Sequence, residues 1–192
     1  MTEPIRRVLI VGTAGSGKTT VAKELSRISE LPHIELDTLR YERNWREVPA
    51  GVFYSGVEAI TDTEDWIIDG NYAAVRQLTW SRAQFVLWLD YPLSITLRRL
   101  VIRTLHRLGT KENSDSRNPE RLIRVLGRRS IILWALRSHA PLRQEYEMTV
   151  SDYSGNTHIA RHRSPAETET WLNSLEGGHG GEAGSVPGFY LL

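Results

Sequence analysis

The sequence predicts an α/β fold, a parallel sheet covered by helices on both faces. Short, near-continuous apolar runs rich in β-branched or aromatic residues alternate with helical patterns along the chain. That alternation marks strands buried on both faces and joined by right-handed crossovers. A glycine-rich turn follows the first run without a gap and leads straight into a helical pattern. The 192 residues, 40% hydrophobic and 24% charged, suffice for one sizeable core.

The elements read in order as follows. "RRVLIVG", Arg6 to Gly12, is the first strand, and a helical pattern runs from Thr19 to Glu30. "HIELD", His33 to Asp37, is the second strand, followed by a helix over Pro49 to Thr61. "WIIDG", Trp66 to Gly70, and "QFVLWLD", Gln84 to Asp90, are the third and fourth. Helical patterns then cover Pro92 to Leu108 and Pro119 to Ser138, before a weaker fifth strand, "NTHIARH", Asn156 to His162, and a last helix, Pro165 to Leu175. Residues 1–176 read as one domain, and 177–192 have the glycine-rich composition of a flexible tail.

Composition excludes several classes. The absence of cysteine removes any disulfide framework or cysteine-ligated metal and fits a reducing compartment. No apolar stretch approaches the roughly 20 residues that span a bilayer. "MTEPIRR" leads into a four-residue apolar run, too short for a secretory leader, so the expectation is a cytoplasmic protein with no membrane partner. The net charge of +1 hides an asymmetry: Arg98 to Arg129 holds ten basic against three acidic residues, a surplus of seven, and the remainder carries −6.

The turn after the first strand is "GTAGSGKTT", Gly12 to Thr20. Gly12, Gly17, Lys18 and Thr19 match G-x-x-x-x-G-K-[ST], the P-loop, in the required context of a strand before and a helix after. Glycines let successive backbone N–H groups face inward as an anion nest, and the helix adds the positive end of its dipole. Gly12, Ala14, Gly15, Ser16, Gly17, Lys18, Thr19 and Thr20 are therefore the expected cradle for the phosphates of ATP. Lys18 is expected at the β- and γ-phosphates, Thr19 at Mg²⁺ and Thr20 at the α-phosphate. A glycine-rich turn with a solvated lysine is the plainer alternative, and the flanking elements argue against it.

A magnesium nucleotide needs a second carboxylate near the P-loop strand. Asp69 ends "WIID" and Asp90 ends "VLWLD". Each sits at the carboxyl edge of the sheet, where ligands collect. A "DG" hairpin at Asp69, or a turn before Pro92 at Asp90, would explain either residue structurally.

"GTAGSGKTT", "HIELD", "WIIDGNY" and "VLWLDYP", in this order, resemble the adenylate-kinase-related P-loop kinases of the DNA topology modulation (FlaR) type, over roughly Arg6 to Arg163. The resemblance implies a P-loop NTPase of nucleoside-monophosphate-kinase form: a three-layer sandwich with a five-stranded parallel sheet and a helical lid insertion, here about 103–129. It also implies that Asp69 binds Mg²⁺ through water. "DGNY" departs from the related "DGFPR" pattern, in which an arginine grips a substrate phosphate; Arg76 and Arg82 are the available substitutes.

The basic segment supplies the lid. Arg99, Arg103, His106 and Arg107 recur at helical spacings and share one face, with Leu100, Val101, Leu105 and Leu108 expected to pack elsewhere. Phosphoryl transfer is catalysed mainly by holding and neutralising developing charge, which suits arginine. Arg103 and Arg107 are the expected hinge pair, similar in separation to the pair opening the lid of adenylate kinases. "GTKENSDSRNPE", Gly109 to Glu120, is the expected mobile loop, with Arg128 and Arg129 beyond it.

For the acceptor, Asp37 is expected at the end of the second strand, taking a proton from or orienting an attacking hydroxyl, unless it merely caps the helix "TLRYER". Arg40 and Arg43 offer contacts to an acceptor phosphate, and Tyr41, Trp45 and Tyr72 offer stacking surfaces or ordinary packing. His33, His106 and His139 have no metal-ligand spacing. Leu133 and Trp134 read as the core stripe of the helix after the lid.

The functional expectation is a small kinase moving the γ-phosphoryl of MgATP to a small-molecule acceptor, a nucleotide or nucleoside being one class. Lys18, Asp37, Asp69, Arg103 and Arg107 are the catalytic set, and Thr19 with Asp69 the metal set. The alternative is an ATP-binding regulatory or nucleic-acid-associated module, whose binding would fall steeply with salt. No N-K-x-D guanine motif is present. A monomer and a homodimer are both compatible with the sequence.

Overall fold

The computed structural model describes residues 4–109, 131–153 and 157–177. Most of the expected lid, with Arg128 and Arg129, and residues 178–192 of the expected tail lie outside these, as does the Arg107 side chain.

Strands β1 (Arg7–Gly12), β2 (His33–Glu35), β3 (Trp66–Asp69), β4 (Phe85–Leu89) and β5 (His158–His162) form one parallel sheet in the order β2-β3-β1-β4-β5. The central strands are apolar throughout because helices cover both faces. Val8, Ile10, Ile67 and Leu87 point to one core with Val21, Ala22 and Leu25 of α1 (Lys18–Ser29) and Trp171 of α7 (Pro165–Gly177). Leu9, Val11, Ile68 and Trp88 point to the other, with Phe53 and Val57 of α3 (Ala50–Thr61), Trp80 of α4 (Arg76–Arg82) and Tyr146 of α6 (Ile131–Tyr153). Each fully buried Leu, Ile or Val contributes about 1.5–3 kcal/mol to holding the layers together. The remaining helices are α2 (Leu36–Arg40) and α5 (Leu93–Gly109), and α5 packs on α6.

Three expectations require correction. The second strand stops at Glu35, and Asp37 lies in the first turn of α2, where Glu35 and not Asp37 holds the N-cap position. The helix expected to stop at Ser138 continues through Pro141 to Tyr153. Proline removes an intrahelical bond at about 3 kcal/mol, and burial of Ala135 and Tyr146 on either side holds the helix together. Leu133, Trp134 and Leu105 are not core residues: they are 38%, 53% and 63% exposed. Helical spacing located a stripe there without showing which side the neighbouring elements cover.

Candidate active site

The loop between β1 and α1 takes its shape from three glycines at positive φ: Gly12 (154°), Gly15 (81°) and Gly17 (94°). Gly15 also permits a close approach to α5, since a Cβ there would lie 2.4 Å from the Thr96 carbonyl oxygen and 2.7 Å from Leu100 Cγ. Helix α1 opens without a side-chain cap or an acidic residue in its first turn. Its first backbone bond runs from the Val21 amide to the Gly17 carbonyl at 3.0 Å. The amides of Lys18, Thr19 and Thr20 thus have no intrahelical acceptor and remain for a ligand.

Lys18 Nζ donates to the carbonyls of Gly12 and Thr13 at 3.1 and 3.2 Å. Two of its three protons are so used. Among the described residues it forms no ion pair, and desolvation lowers its pKa although Asp69, Asp37 and Glu35 pull in the other direction. A half-buried ammonium without a described carboxylate in contact favours an anion. Ser16 Oγ is fully buried without a hydrogen-bond partner among the described residues. These features fit a phosphate chain.

A cleft of about 1540 Å³ begins at this loop. Asp69, at the end of β3, opens onto it, with Oδ2 bonded to His33 Nε2 at 2.9 Å. Its place beyond Ile68 in a parallel strand rules out the hairpin reading. Thr19 lines the same cleft. No group of three or more His, Asp or Glu side chains among the described residues forms a metal cage. A Mg²⁺ ion at Thr19 and Asp69 would draw its other ligands from phosphate and water, as this cation commonly does.

Asp90 has a different role. Its carboxylate is enclosed by Arg143 Nε at 3.0 Å and Arg161 Nη2 at 2.7 Å, and it does not line the cleft. Of the two strand-end aspartates, only Asp69 opens onto the cleft. Arg76 and Arg82 are also turned away. Arg76 pairs with Glu145 and Asn71, and Arg82 with Asp62 and Thr61. Neither stands in for the arginine missing after "DGNY".

Of the expected arginine face, Arg103 lines the cleft, and its charge acts on Lys18. Arg99 has a role that helical spacing could not show: it donates to the Ser16 carbonyl at 2.8 Å while its guanidinium lies 5.5 Å from the Tyr91 ring centroid. It braces the phosphate loop against α5.

The far wall of the cleft comes from β2, α2 and the loop after β3. Asp37 Oδ1 accepts from the Tyr72 hydroxyl, whose pKa is pushed far up by burial and by that carboxylate. Tyr41 and Trp45 meet edge to face, their centroids 5.4 Å apart. Trp45 holds a left-handed backbone at φ 59°, an uncommon conformation for a bulky residue and one that clusters at functional sites. Glu35, quoted in the sequence but not singled out, reaches this wall as well. Its pKa is raised by burial and by the charges of Asp69 and Asp37. The i, i+2 spacing of Glu35 and Asp37 at a strand end was the available signal.

No protein-family model and no curated protein matches the chain. Solved structures do. A shikimate kinase from Bacteroides thetaiotaomicron superposes with a TM-score of 0.51 at 18% identity, over 90% of this chain and 97% of its own. A shikimate kinase from Acinetobacter baumannii in complex with shikimate gives 0.52 at 16%, over 89% and 90%. At such identities the likeness concerns the fold. The chain is an α/β domain with a P-loop, built on the architecture these small-molecule kinases share. No helix among the described residues is long and apolar enough to cross a membrane.

Proposed function

We propose that this protein transfers the γ-phosphoryl group of ATP to a hydroxyl of a small molecule. The observation that carries the reading is Lys18. It is a desolvated ammonium held by two carbonyls of a glycine loop, beside three helix N-terminal amides and with no carboxylate in contact among the described residues. Such a site stabilises the negative charge of a phosphate chain. The kinase fold of the solved neighbours, both shikimate kinases, supports the same class of reaction.

The residues divide the work. Gly12, Ala14, Gly15, Ser16 and Gly17 shape the cradle, Thr20 contributes at its rim, and Arg99 keeps it in place. Thr19 and Asp69 would hold Mg²⁺, which when bound neutralises charge on the transferring group. Asp37 takes the acceptor proton through Oδ2, since Oδ1 is occupied by Tyr72. As that proton leaves, the acceptor oxygen bonds to the γ-phosphorus. The bond from phosphorus to the bridging oxygen breaks, leaving its electron pair on the diphosphate. Arg103 borders the cleft where charge develops, and Arg107, one helical turn on, completes the lid hinge in this proposal. The finer kinship with the FlaR-type kinases belongs to the same proposal.

The test is ADP release from MgATP across hydroxyl metabolites and nucleotides, with Lys18→Ala as comparison. Loss of about 10²–10³-fold in the variant is expected. Equal turnover in both proteins would remove the mechanism.

A further inference from the structure

Charge in the cleft is unevenly spread, with Glu24, Glu169 and Glu176 lining it from α1 and α7. Its described cations, Lys18, Arg99, Arg103 and Arg137, come from the phosphate loop, α5 and α6. The opposite wall presents Glu35, Asp37 and Asp69. Arg43 and Arg46, which flank Trp45 in sequence, are exposed and do not line the cleft, and three further arginines near that wall are engaged elsewhere. Arg40 pairs with Glu47, donates to the Val48 carbonyl at 2.8 Å, and lies over Phe53. Arg76 and Arg82 are held by Glu145 and Asp62, and none of the three lines the cleft.

The carboxylates act on one another. Asp69 and Asp37 raise the pKa of Glu35, Lys23 and His33 oppose them, and Glu35 acts on Lys18 as well. Asp69 belongs to the metal in the reading above, and one oxygen of Asp37 to the reacting hydroxyl. Glu35 is then left without a task, half-buried and repelled by its neighbours. An anionic acceptor would meet these three carboxylates with no guanidinium among the described residues that line that wall. A cation would relieve their repulsion, and the Tyr41–Trp45 pair adds aromatic surface of the kind that attracts ammonium groups.

We propose that the acceptor is a hydroxyl compound bearing a protonated amine, with the amine received by Glu35 beside Tyr41 and Trp45 and the hydroxyl by Asp37. This rests on the phosphoryl-transfer reading and narrows it: amino alcohols and amino sugars fit, whereas nucleoside monophosphates and shikimate-like carboxylates do not.

The experiment compares acceptors of one shape and three charges. Glucosamine, glucose and glucuronate share a pyranose body, and ethanolamine, ethylene glycol and glycolate repeat the series in small form. AMP and shikimate serve as further anions. MgATP-dependent product formation is read for wild type and Glu35→Gln, with MgATP binding measured by calorimetry on the same samples. We expect kcat/KM for the amines to exceed that for the neutral members by at least about tenfold, and Glu35→Gln to remove that margin through KM. Higher turnover of the anions, equal turnover of neutral and cationic members, or a margin that survives Glu35→Gln would overturn the proposal. So would failure of every amine while MgATP still binds, a result that leaves the nucleotide site intact. Absence of MgATP binding in folded protein would instead remove the phosphoryl-transfer reading itself.

Discussion

The Tyr72 hydroxyl donates to Asp37 Oδ1, tying the loop after β3 to helix α2 across the wall of the cleft. Burial and the adjacent carboxylate keep the phenol protonated, so it can donate to Asp37. It leaves Asp37 oriented with one oxygen committed. Tyr72→Phe keeps the ring against Phe53, 5.2 Å between centroids, and removes the bond to Asp37 together with the hydroxyl's interaction with Tyr41. The expected result is a fall in kcat of about tenfold with unchanged MgATP affinity. Steady-state kinetics together with nucleotide titration check it; a parallel loss of MgATP affinity would contradict a positioning role.

Asp90 and Asp69 should separate cleanly. Asp90 is buried between two arginines that are themselves partly exposed. Asp90→Asn is expected to cost about 1–3 kcal/mol, lowering Tm by about 2–4 °C for each kcal/mol in a domain of this size. Residual activity at low temperature should stay near wild type. Asp69→Asn should do the reverse, with a small change in Tm and a large loss of magnesium-dependent turnover. Thermal melts paired with assays read both.

Gly15→Ala tests the shape of the phosphate loop. The added methyl meets backbone at 2.4 Å, at a φ of 81° that side chains rarely adopt. Either α5 moves or the loop does, and each displaces the Arg99 brace. We expect destabilisation of about 1–3 kcal/mol and weakened nucleotide affinity. Chemical denaturation and MgATP titration measure the two effects, and a variant indistinguishable from wild type in both would refute the tight approach of loop and helix.

His162 makes the fold sensitive to acid. Burial lowers its pKa below the ordinary 6.5, with Glu167 opposing. Its Nδ1 lies 3.0 Å from Thr168 Oγ1, and its ring stands edge-on to Trp171. The unfolded chain therefore takes up a proton at higher pH than the folded one. Stability is fully present above pH 6.5 and falls as pH drops from there through the depressed folded value. Tm measured from pH 7.5 to 5 should decline, and His162→Gln should decline less over that window. Equal slopes would assign the acid sensitivity to other groups.

The strands and the phosphate loop were legible because their signals are local. "VLIV" runs directly into the glycine motif, and its lysine and threonine follow at fixed spacing. The distinction between Asp69 and Asp90 was not local. Both end apolar strands, and only Arg143 from α6 and Arg161 from β5, far along the chain, show which one is neutralised. Asp37 misled for a related reason: β2 pairs over only three residues, too short for alternation to mark its end. The helix end expected at Ser138 came from local pattern, whereas the packing of Ala135 and Tyr146 that carries the helix through Pro141 is tertiary. Leu133 and Trp134 have the spacing of a core stripe, yet nothing in their own residues says whether another element covers them. Glu35 escaped notice beside Asp37, since its meaning lies in the three carboxylates that β2, α2 and β3 bring together.

The central claim is that the loop from Gly12 to Lys18 grips a triphosphate. Isothermal calorimetry of folded wild-type protein with MgATP should show binding at one site per chain, weakened about 100-fold or more in Lys18→Ala. No heat from wild type, or the same affinity in both proteins, would contradict it.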